Sequence, residues 1–150
     1  MNNLFQDLKG QELAKIFLTS ILEKDQYSSA YLFSGPKGIG KKLAALRFIE
    51  GLLKHGVKSD KYQKRLNEYN HPDFLLVEPT YQLQGKLIPA SQSEVNEQNK
   101  RNPPKIRLEQ IREVTRFLGN SPLESNLSVV LIEEVETMAE AAANALLKTL

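Results

Sequence analysis

Residues 35–42 carry a pattern of glycines and lysines that could hold phosphate groups. Gly35, Gly40 and Lys41 fit the spacing G-x-x-x-x-G-K-[ST]. In such a loop the glycines let backbone N–H groups turn inward, the following helix adds partial positive charge, and the lysine reaches the outer phosphates. The sequence therefore predicts a phosphate-binding loop (P-loop), for which ATP is the candidate ligand. Its residues are Gly35, Pro36, Lys37, Gly38, Ile39, Gly40, Lys41 and Lys42.

The last position of this pattern departs from it in a way that affects metal binding. A serine or threonine hydroxyl normally coordinates magnesium there, whereas position 42 is a lysine. An ammonium has no lone pair to offer a metal, so Lys42 would either repel the cation or stand in for part of its charge on the phosphates. Tight nucleotide binding, weak binding and a glycine-rich turn without any ligand all stay open at this point.

Two adjacent acids follow a four-residue apolar run and could serve ATP hydrolysis. Residues 129–132 with Glu133 and Glu134 have the layout of a Walker B element. There the first acid holds magnesium through a water, and the second polarises the attacking water. The first acid is usually Asp, and the extra methylene of Glu133 would displace its carboxylate. Glu134 is thus the candidate catalytic residue and Glu133 a weak magnesium contact through water, with two solvated acids as the alternative. Because positions 42 and 133 both depart from the pattern, we expect that ATP hydrolysis by this chain is under little functional constraint.

The elements that must position these groups alternate between strands and helices. Apolar runs predict buried strands, and helical spacing of apolar residues predicts helices. This order predicts an α/β fold, a three-layer α/β/α P-loop domain with a parallel sheet over residues 1–150. The predicted strands cover 30–33, 73–77 and 128–132, and the predicted helices cover 10–24, 43–53, part of 58–70, 108–118 and 136–150.

Residues 80–105 differ from the rest of the chain in composition. They are rich in Gln, Asn, Ser, Lys and Pro, which predicts a long, exposed and partly disordered segment within the domain. A basic stretch near its end fits either contact with DNA phosphates or a solvated loop. This stretch consists of Lys100, Arg101, Lys105 and Arg107.

Composition limits the classes of function. The 150 residues include 20 basic and 18 acidic side chains, a formal charge of +2, so the charge sum predicts neither a nucleic-acid nor a membrane partner. The absence of cysteine excludes disulfides, thiolate metal sites and thiol catalysis. No apolar run approaches the ~18 residues of a membrane span, and the N-terminus lacks the layout of a signal peptide. The expected location is the cytoplasm.

Five segments of the chain carry a pattern shared with known proteins, namely residues 30–41, 71–73, 106–113, 129–138 and 144–150. Together they resemble one protein family, the AAA+ clamp loader of DNA polymerase III. The similarity omits residues 54–70 and 80–105. The motor members of that family, tau and gamma, keep Lys-Thr in the P-loop, so Lys42 makes the chain similar to the delta-prime members. The long polar segment resembles that of cyanobacterial delta-prime chains.

The resemblance implies a function and partners. It implies a subunit that assists ATP-driven loading of a ring-shaped sliding clamp onto primed DNA during replication. Its partners would be the other clamp-loader subunits, in a DNA-directed DNA polymerase (nucleotidyltransferase) holoenzyme, and its own ATP turnover would be weak or absent. Family members often carry a four-cysteine zinc module, but this chain has no cysteine and therefore no such zinc. Magnesium binding stays doubtful.

The resemblance also implies a sheet order of five-one-four-three-two. The chain would supply strands one to three and be truncated before the fourth, so the third strand could not pair with the first. We expect such a piece to be incomplete as a folding unit. The sensor 1 and Ser-Arg-Cys motifs of the family would lie beyond residue 150.

Three rival functions can be set beside this one. An active tau/gamma-type ATPase subunit of the same complex predicts magnesium-dependent hydrolysis. A scaffold with a relic P-loop predicts no saturable ATP binding. A small-molecule kinase is disfavoured, because nothing between the predicted strands resembles a lid with paired arginines.

Overall fold

The computed structural model of the chain describes residues 4–54, 60–94 and 101–150. They divide into two compact units, unit one with Met1–Phe74 and Pro122–Val129, and unit two with Leu75–Ser121 and Val130–Leu150. None of the helices found in these residues has the length and apolar content to cross a membrane. The helices are α1 (Glu12–Lys24), α2 (Lys41–Leu53), α3 (Asp60–Asn67), α4 (Leu108–Leu118) and α5 (Glu140–Thr149), and the strands are β1 (Phe74–Val77), β2 (Thr80–Leu83), β3 (Lys86–Pro89) and β4 (Val129–Ile132).

Strands β1 and β4 form a two-stranded parallel sheet. The Val129 amide donates to the Asp73 carbonyl and the Glu133 amide to the Val77 carbonyl, each at 2.9 Å. Between these two bonds both strands advance by four residues in the same direction, as the strands of a parallel pair do. The predicted strands at 73–77 and 128–132, and the α/β class with a parallel sheet, are therefore confirmed.

The strand predicted at residues 30–33 is not formed in the described chain. The Tyr31 and Phe33 rings pack against Phe48 of α2, with centroids 5.0 and 6.4 Å away, while Leu32 between them is 79% exposed. This alternation has the period of a strand with one buried face. A strand also needs a hydrogen-bonded neighbour, and no described residue provides one; β4 pairs with β1 instead, as the implied sheet order requires.

Helix α2 is the centre of the hydrophobic core of unit one. Phe48 and Ala44 on α2 are buried against Phe5, Leu8 and Leu18. Helix α1 contributes Leu18, yet Leu13, Ile16 and Phe17 of the same helix are 85%, 65% and 62% exposed. The predicted helix at 10–24 is therefore confirmed, and its core side is formed by Leu18 with the partly buried Ile21 and Leu22.

Residues 80–105 contain a β-hairpin that the prediction of an exposed, partly disordered segment missed. Strands β2 and β3 pair antiparallel, with Leu83 opposite Lys86. The two turn residues, Gln84 and Gly85, have φ values of 49° and 77°, the combination that a type I′ turn requires. The glycine and the alternating Tyr81, Leu83 and Ile88 could have indicated the hairpin, but the polar composition hid them. Residues 95–100 lie outside the described part.

In unit two, helices α4 and α5 pack against each other and against Val77 of β1. Ile111 and Val114 of α4 and Ala142 of α5 are buried with Ile106 and Val77. Helix α5 begins at Glu140 rather than at the predicted residue 136, because a 3-10 turn at Val135–Thr137 precedes it. The Thr137 amide and hydroxyl both donate to the Glu134 carbonyl at 2.8 Å, which holds that turn closed.

Candidate nucleotide-binding site

The predicted P-loop leads directly into the first turn of helix α2. Gly40 is the N-cap residue with φ 96°, and the first helical bond runs from the Ala44 amide to the Gly40 carbonyl at 2.9 Å. A Cβ placed on Gly40 would lie 2.7 Å from Leu8 Cδ1, so that side chain would have to move. The left-handed backbone is what favours glycine here. The positive end of the α2 dipole therefore stands at the end of the loop, as phosphate binding requires.

Lys41 turns its side chain back over the loop. Its Nζ donates to the Gly35 carbonyl at 2.6 Å and to the Pro36 carbonyl at 2.9 Å. The Ile39 amide donates to the Pro36 carbonyl at 3.4 Å and closes a turn. An ammonium bound to two carbonyls in this way is already placed beside the loop. To contact phosphate oxygens, this ammonium would have to leave the two carbonyls.

Lys42, at the position where the P-loop pattern has a hydroxyl, lies over an aromatic ring. Its Nζ is 5.0 Å from the centroid of Tyr69, a cation–π distance. The Tyr69 ring in turn is 6.4 Å from the ring of Phe74, the first residue of β1. Position 42, where the P-loop pattern has its magnesium-binding hydroxyl, thus carries an ammonium that contacts Tyr69, shortly before β1.

The predicted acids lie at the end of β4, in unit two. The Glu133 amide still belongs to the ladder with β1, donating to Val77, and its side chain is half-buried. Glu134 is exposed, and its φ of 46° places it in the left-handed region. The chain therefore turns sharply between the candidate magnesium contact and the candidate catalytic residue. The eight loop residues belong to unit one, whereas Glu133 and Glu134 belong to unit two.

The carboxylate of Asp73, which the sequence did not single out as a site, organises the loop before β4. It accepts the amides of Leu123, Glu124 and Ser125 at 2.6, 2.8 and 2.7 Å, and the Ser125 hydroxyl at 2.6 Å. Asp73 is only 1% exposed. Burial raises its pKa, but the hydrogen bonds from Ser125 and the loop amides outweigh burial and lower the pKa to about 2.

His71 has a structural role beside Asp73. It is buried, and its Nδ1 accepts the Asp73 amide at 3.1 Å. Burial, together with the charge of Arg65, lowers its pKa, which favours the neutral imidazole that this hydrogen bond needs.

A second charged network that the sequence did not reveal lies along α2. Arg47 Nε donates to both Asp7 carboxylate oxygens, at 3.1 and 2.9 Å, and Arg47 Nη1 donates to Glu50 at 3.3 Å. Lys54 pairs with the other oxygen of Glu50. Asp7 and Arg47 are 40 residues apart, so no local pattern could have indicated the pair.

Comparison with known proteins shows the family. The model of the family described as "DNA polymerase III, delta subunit" matches residues 10–150. The chain belongs to this DNA polymerase III delta subunit family. Among solved structures, none matches the chain.

Relatives of this DNA polymerase III family member carry two kinds of name. DNA polymerase III subunit delta' of Bacillus subtilis is 32% identical over 89% of this chain, and that of Pseudomonas aeruginosa is 31% identical over 83%. DNA polymerase III subunit tau/gamma of Haemophilus influenzae is 30% identical over 97%. The chain spans 35%, 34% and 19% of the length of these relatives, respectively.

Proposed function

We propose that the chain is the AAA+ nucleotide-binding part of a delta-prime-type subunit of the DNA polymerase III clamp loader. The subunit assists ATP-driven loading of a sliding clamp onto primed DNA during replication. The family match over residues 10–150 and the relatives named delta' support this proposal. Its partners are the other clamp-loader subunits, in a cytoplasmic hetero-oligomer, and the clamp and DNA are reached through that complex.

The proposed ligand is ATP, held by the loop of residues 35–41 at the start of α2. Lys41 supplies the charge for the outer phosphates once it leaves the carbonyls of Gly35 and Pro36. When it binds, the nucleotide supplies the triphosphate that such loops recognise through backbone amides.

Hydrolysis by the subunit itself is proposed to be weak or absent. The observation that carries this is the residue at position 42. The P-loop pattern has a magnesium-binding hydroxyl there, whereas this chain has Lys42, whose ammonium lies over the Tyr69 ring. An ammonium cannot serve as a metal ligand. Glu134 keeps the identity needed to polarise water, but Glu133 in place of Asp moves the other magnesium contact. Two altered metal contacts therefore act in the same direction.

The direct test uses the intact protein and the clamp-loader subunits of its own organism. Co-purification of the intact protein with the tau/gamma and delta subunits, at a defined stoichiometry by gel filtration, is the expected result. Titration with labelled ATP, with and without magnesium, then measures nucleotide affinity. A protein that enters no complex with these subunits would overturn the proposed function.

A second candidate function is an active motor subunit of the same complex. The relatives named tau/gamma and tau, at 30% and 31% identity over 97% of the chain, favour it. It predicts magnesium-dependent ATP hydrolysis by the intact wild-type protein. A third outcome, complex formation without saturable ATP binding, would indicate a scaffold with a relic P-loop.

A further inference from the structure

The N-terminal segment, residues 4–8, lies along helix α2 in the opposite direction. At the start of the helix, Leu8 Cδ1 is 2.7 Å from the Cβ position of Gly40, and near its end, Leu4 Cδ2 is 2.9 Å from that of Gly51. Between them Asp7 pairs with Arg47. The N-cap Gly40 and Gly51 within α2 thus leave space that Leu8 and Leu4 enter, and Leu22 of α1 shares the space at Gly51.

The Asp7–Arg47 pair is built to hold this segment in place. The guanidinium contacts both carboxylate oxygens through Nε and Nη2, the two-pronged geometry that only arginine offers. The Arg47 side chain is 9% exposed and is also held by Glu50, whereas Asp7 is 44% exposed. Arg47 of α2 is therefore held in place by the helix, whereas Asp7 is the more exposed member of the pair. The hydrogen bond from Arg47 also lowers the pKa of Asp7.

Leu8, next to Asp7, is the side chain that contacts the P-loop. It is buried, and it covers the Gly40 backbone at the point where the loop becomes helix. Gly40 there has φ 96°, a conformation that a glycine leaves easily because few steric barriers confine it. A neighbouring side chain that fills the space over Gly40 limits that freedom.

We propose that Asp7 and Arg47 are positioning residues of the P-loop, which keep Leu8 seated on Gly40 and so hold the last turn of the loop in its phosphate-binding form. This inference rests on the proposed function for its ligand, a nucleoside triphosphate. It assigns no contact with the nucleotide to either residue. Loss of the pair frees the loop locally while leaving the core of unit one folded.

Limited trypsin digestion of the intact protein tests the loop without any ligand. Lys37 lies in the exposed part of the loop, and Lys86 in the β2–β3 hairpin serves as an internal reference. In Asp7→Asn we expect cleavage after Lys37 to rise roughly fivefold to tenfold, as for a local opening equilibrium, with cleavage after Lys86 unchanged. Asp7→Glu, which keeps the charge, should return most of the protection. Glu12→Gln removes a carboxylate from an exposed pair with Lys15 and should change neither site.

A matched pair of apolar variants separates positioning from general stability. Leu8→Ala removes the contact at Gly40, and Leu4→Ala removes the similar contact at Gly51. Leu8→Ala should expose Lys37 to cleavage and Leu4→Ala should not. Equal effects of the two variants, or parallel acceleration at Lys37 and Lys86, would overturn the proposal and leave the pair with a purely structural role.

Nucleotide affinity gives the second readout. With fluorescent ATP, the Kd of Asp7→Asn should rise as the fraction of molecules with a closed loop falls, because the apparent Kd is the intrinsic Kd divided by that fraction. Saturating ATP selects the closed loop and should suppress cleavage after Lys37 in both proteins. Cleavage that ATP leaves unchanged, in a protein that binds ATP, would overturn the link to phosphate binding. If the wild type binds no ATP but the selective exposure of Lys37 persists, the positioning role stands and the nucleotide-binding part of the proposed function fails.

Discussion

The ammonium of Lys42 and the ring of Tyr69 are 5.0 Å apart, and this contact joins the first turn of α2 to the chain that enters β1. Tyr69 holds its position in the left-handed region, with φ 55°, and packs near Phe74. Lys42 therefore has a structural partner that a serine or threonine hydroxyl could not have. The lysine that stands where the P-loop pattern has a hydroxyl therefore makes a contact within unit one.

The Lys42–Tyr69 contact should contribute measurably to stability. In a double-mutant cycle with Lys42→Met and Tyr69→Leu, we expect a coupling free energy of about 0.5–1 kcal/mol, the range for an exposed cation–π pair. Urea unfolding of the intact protein measures it. Lys37→Met, from the same loop, is the matched control and should show no coupling with Tyr69→Leu. Additive effects of Lys42→Met and Tyr69→Leu would contradict this prediction.

Restoring the hydroxyl should restore part of the magnesium response. In Lys42→Thr we expect magnesium to increase ATP affinity by about tenfold more than in the wild type, the equivalent of a contact of about 1.4 kcal/mol. Turnover should rise further in the double variant Lys42→Thr, Glu133→Asp. ATP titrations and phosphate release in the intact protein are the measurements, and Lys37→Thr is the control. Strong hydrolysis by the wild type would instead support the motor subunit.

Asp73 should be among the residues most sensitive to substitution. Asp73→Asn loses the charge that three amides and a hydroxyl bind, and its NH₂ group faces donors. We expect a loss of about 2–4 kcal/mol, since buried hydrogen bonds to charged groups are worth about 1.5–3 kcal/mol each. Urea unfolding of the intact protein measures this. Glu124→Gln on the same loop affects the exposed pair with Arg65 and should lower the free energy of unfolding much less than Asp73→Asn does.

Asp73 should also produce a stability loss in acid. Its folded pKa of about 2 lies below the ordinary value of 3.8, so the folded state favours the ionised carboxylate. The stabilisation is fully present above about pH 4 and is lost as the pH falls toward 2. Thermal midpoints of the intact protein between pH 2 and 5 should fall more steeply for the wild type than for Asp73→Asn. Parallel curves for the two proteins would count against the assigned hydrogen bonds.

The hairpin turn should respond to changes at its glycine. Gly85 has φ 77°, and a Cβ there would meet no atom within 4 Å, so Gly85→Ala acts through the backbone alone. We expect Gly85→Ala to destabilise the hairpin by about 1–2 kcal/mol, the cost of a left-handed residue with a side chain. Gln84→Gly should have the opposite sign. Hydrogen exchange of the β2 and β3 amides measures both, and equal protection in all three proteins would argue against the turn.

Features set by neighbouring residues could be predicted from the sequence. The glycine spacing located the start of α2, and short apolar runs located β1 and β4. The family resemblance was also sufficient to indicate which of the predicted strands are adjacent. The helix start and the two strands depend on residues within a few positions of one another, where local sterics and periodicity dominate.

Features set by distant residues could not be predicted in this way. Whether residues 30–33 form a strand depends on a partner for their backbone, and the side of α1 that is buried depends on what packs against Leu18. The Asp7–Arg47 pair joins residues 40 positions apart. The hairpin is a different case. Gly85, with apolar residues on both sides of it, could have indicated a turn between two strands, but the polar composition of residues 80–105 favoured an exposed segment instead.

Asp73 binds the loop before β4 through both its carboxylate and its carbonyl, and this limits the length that the loop can have. Its carboxylate binds the Ser125 amide, and its carbonyl accepts the Val129 amide four residues later. Since both attachment points sit on one residue, the stretch 126–128 has a fixed distance to bridge. Relatives should therefore accumulate insertions and deletions before Pro122 and almost none between Ser125 and Val129.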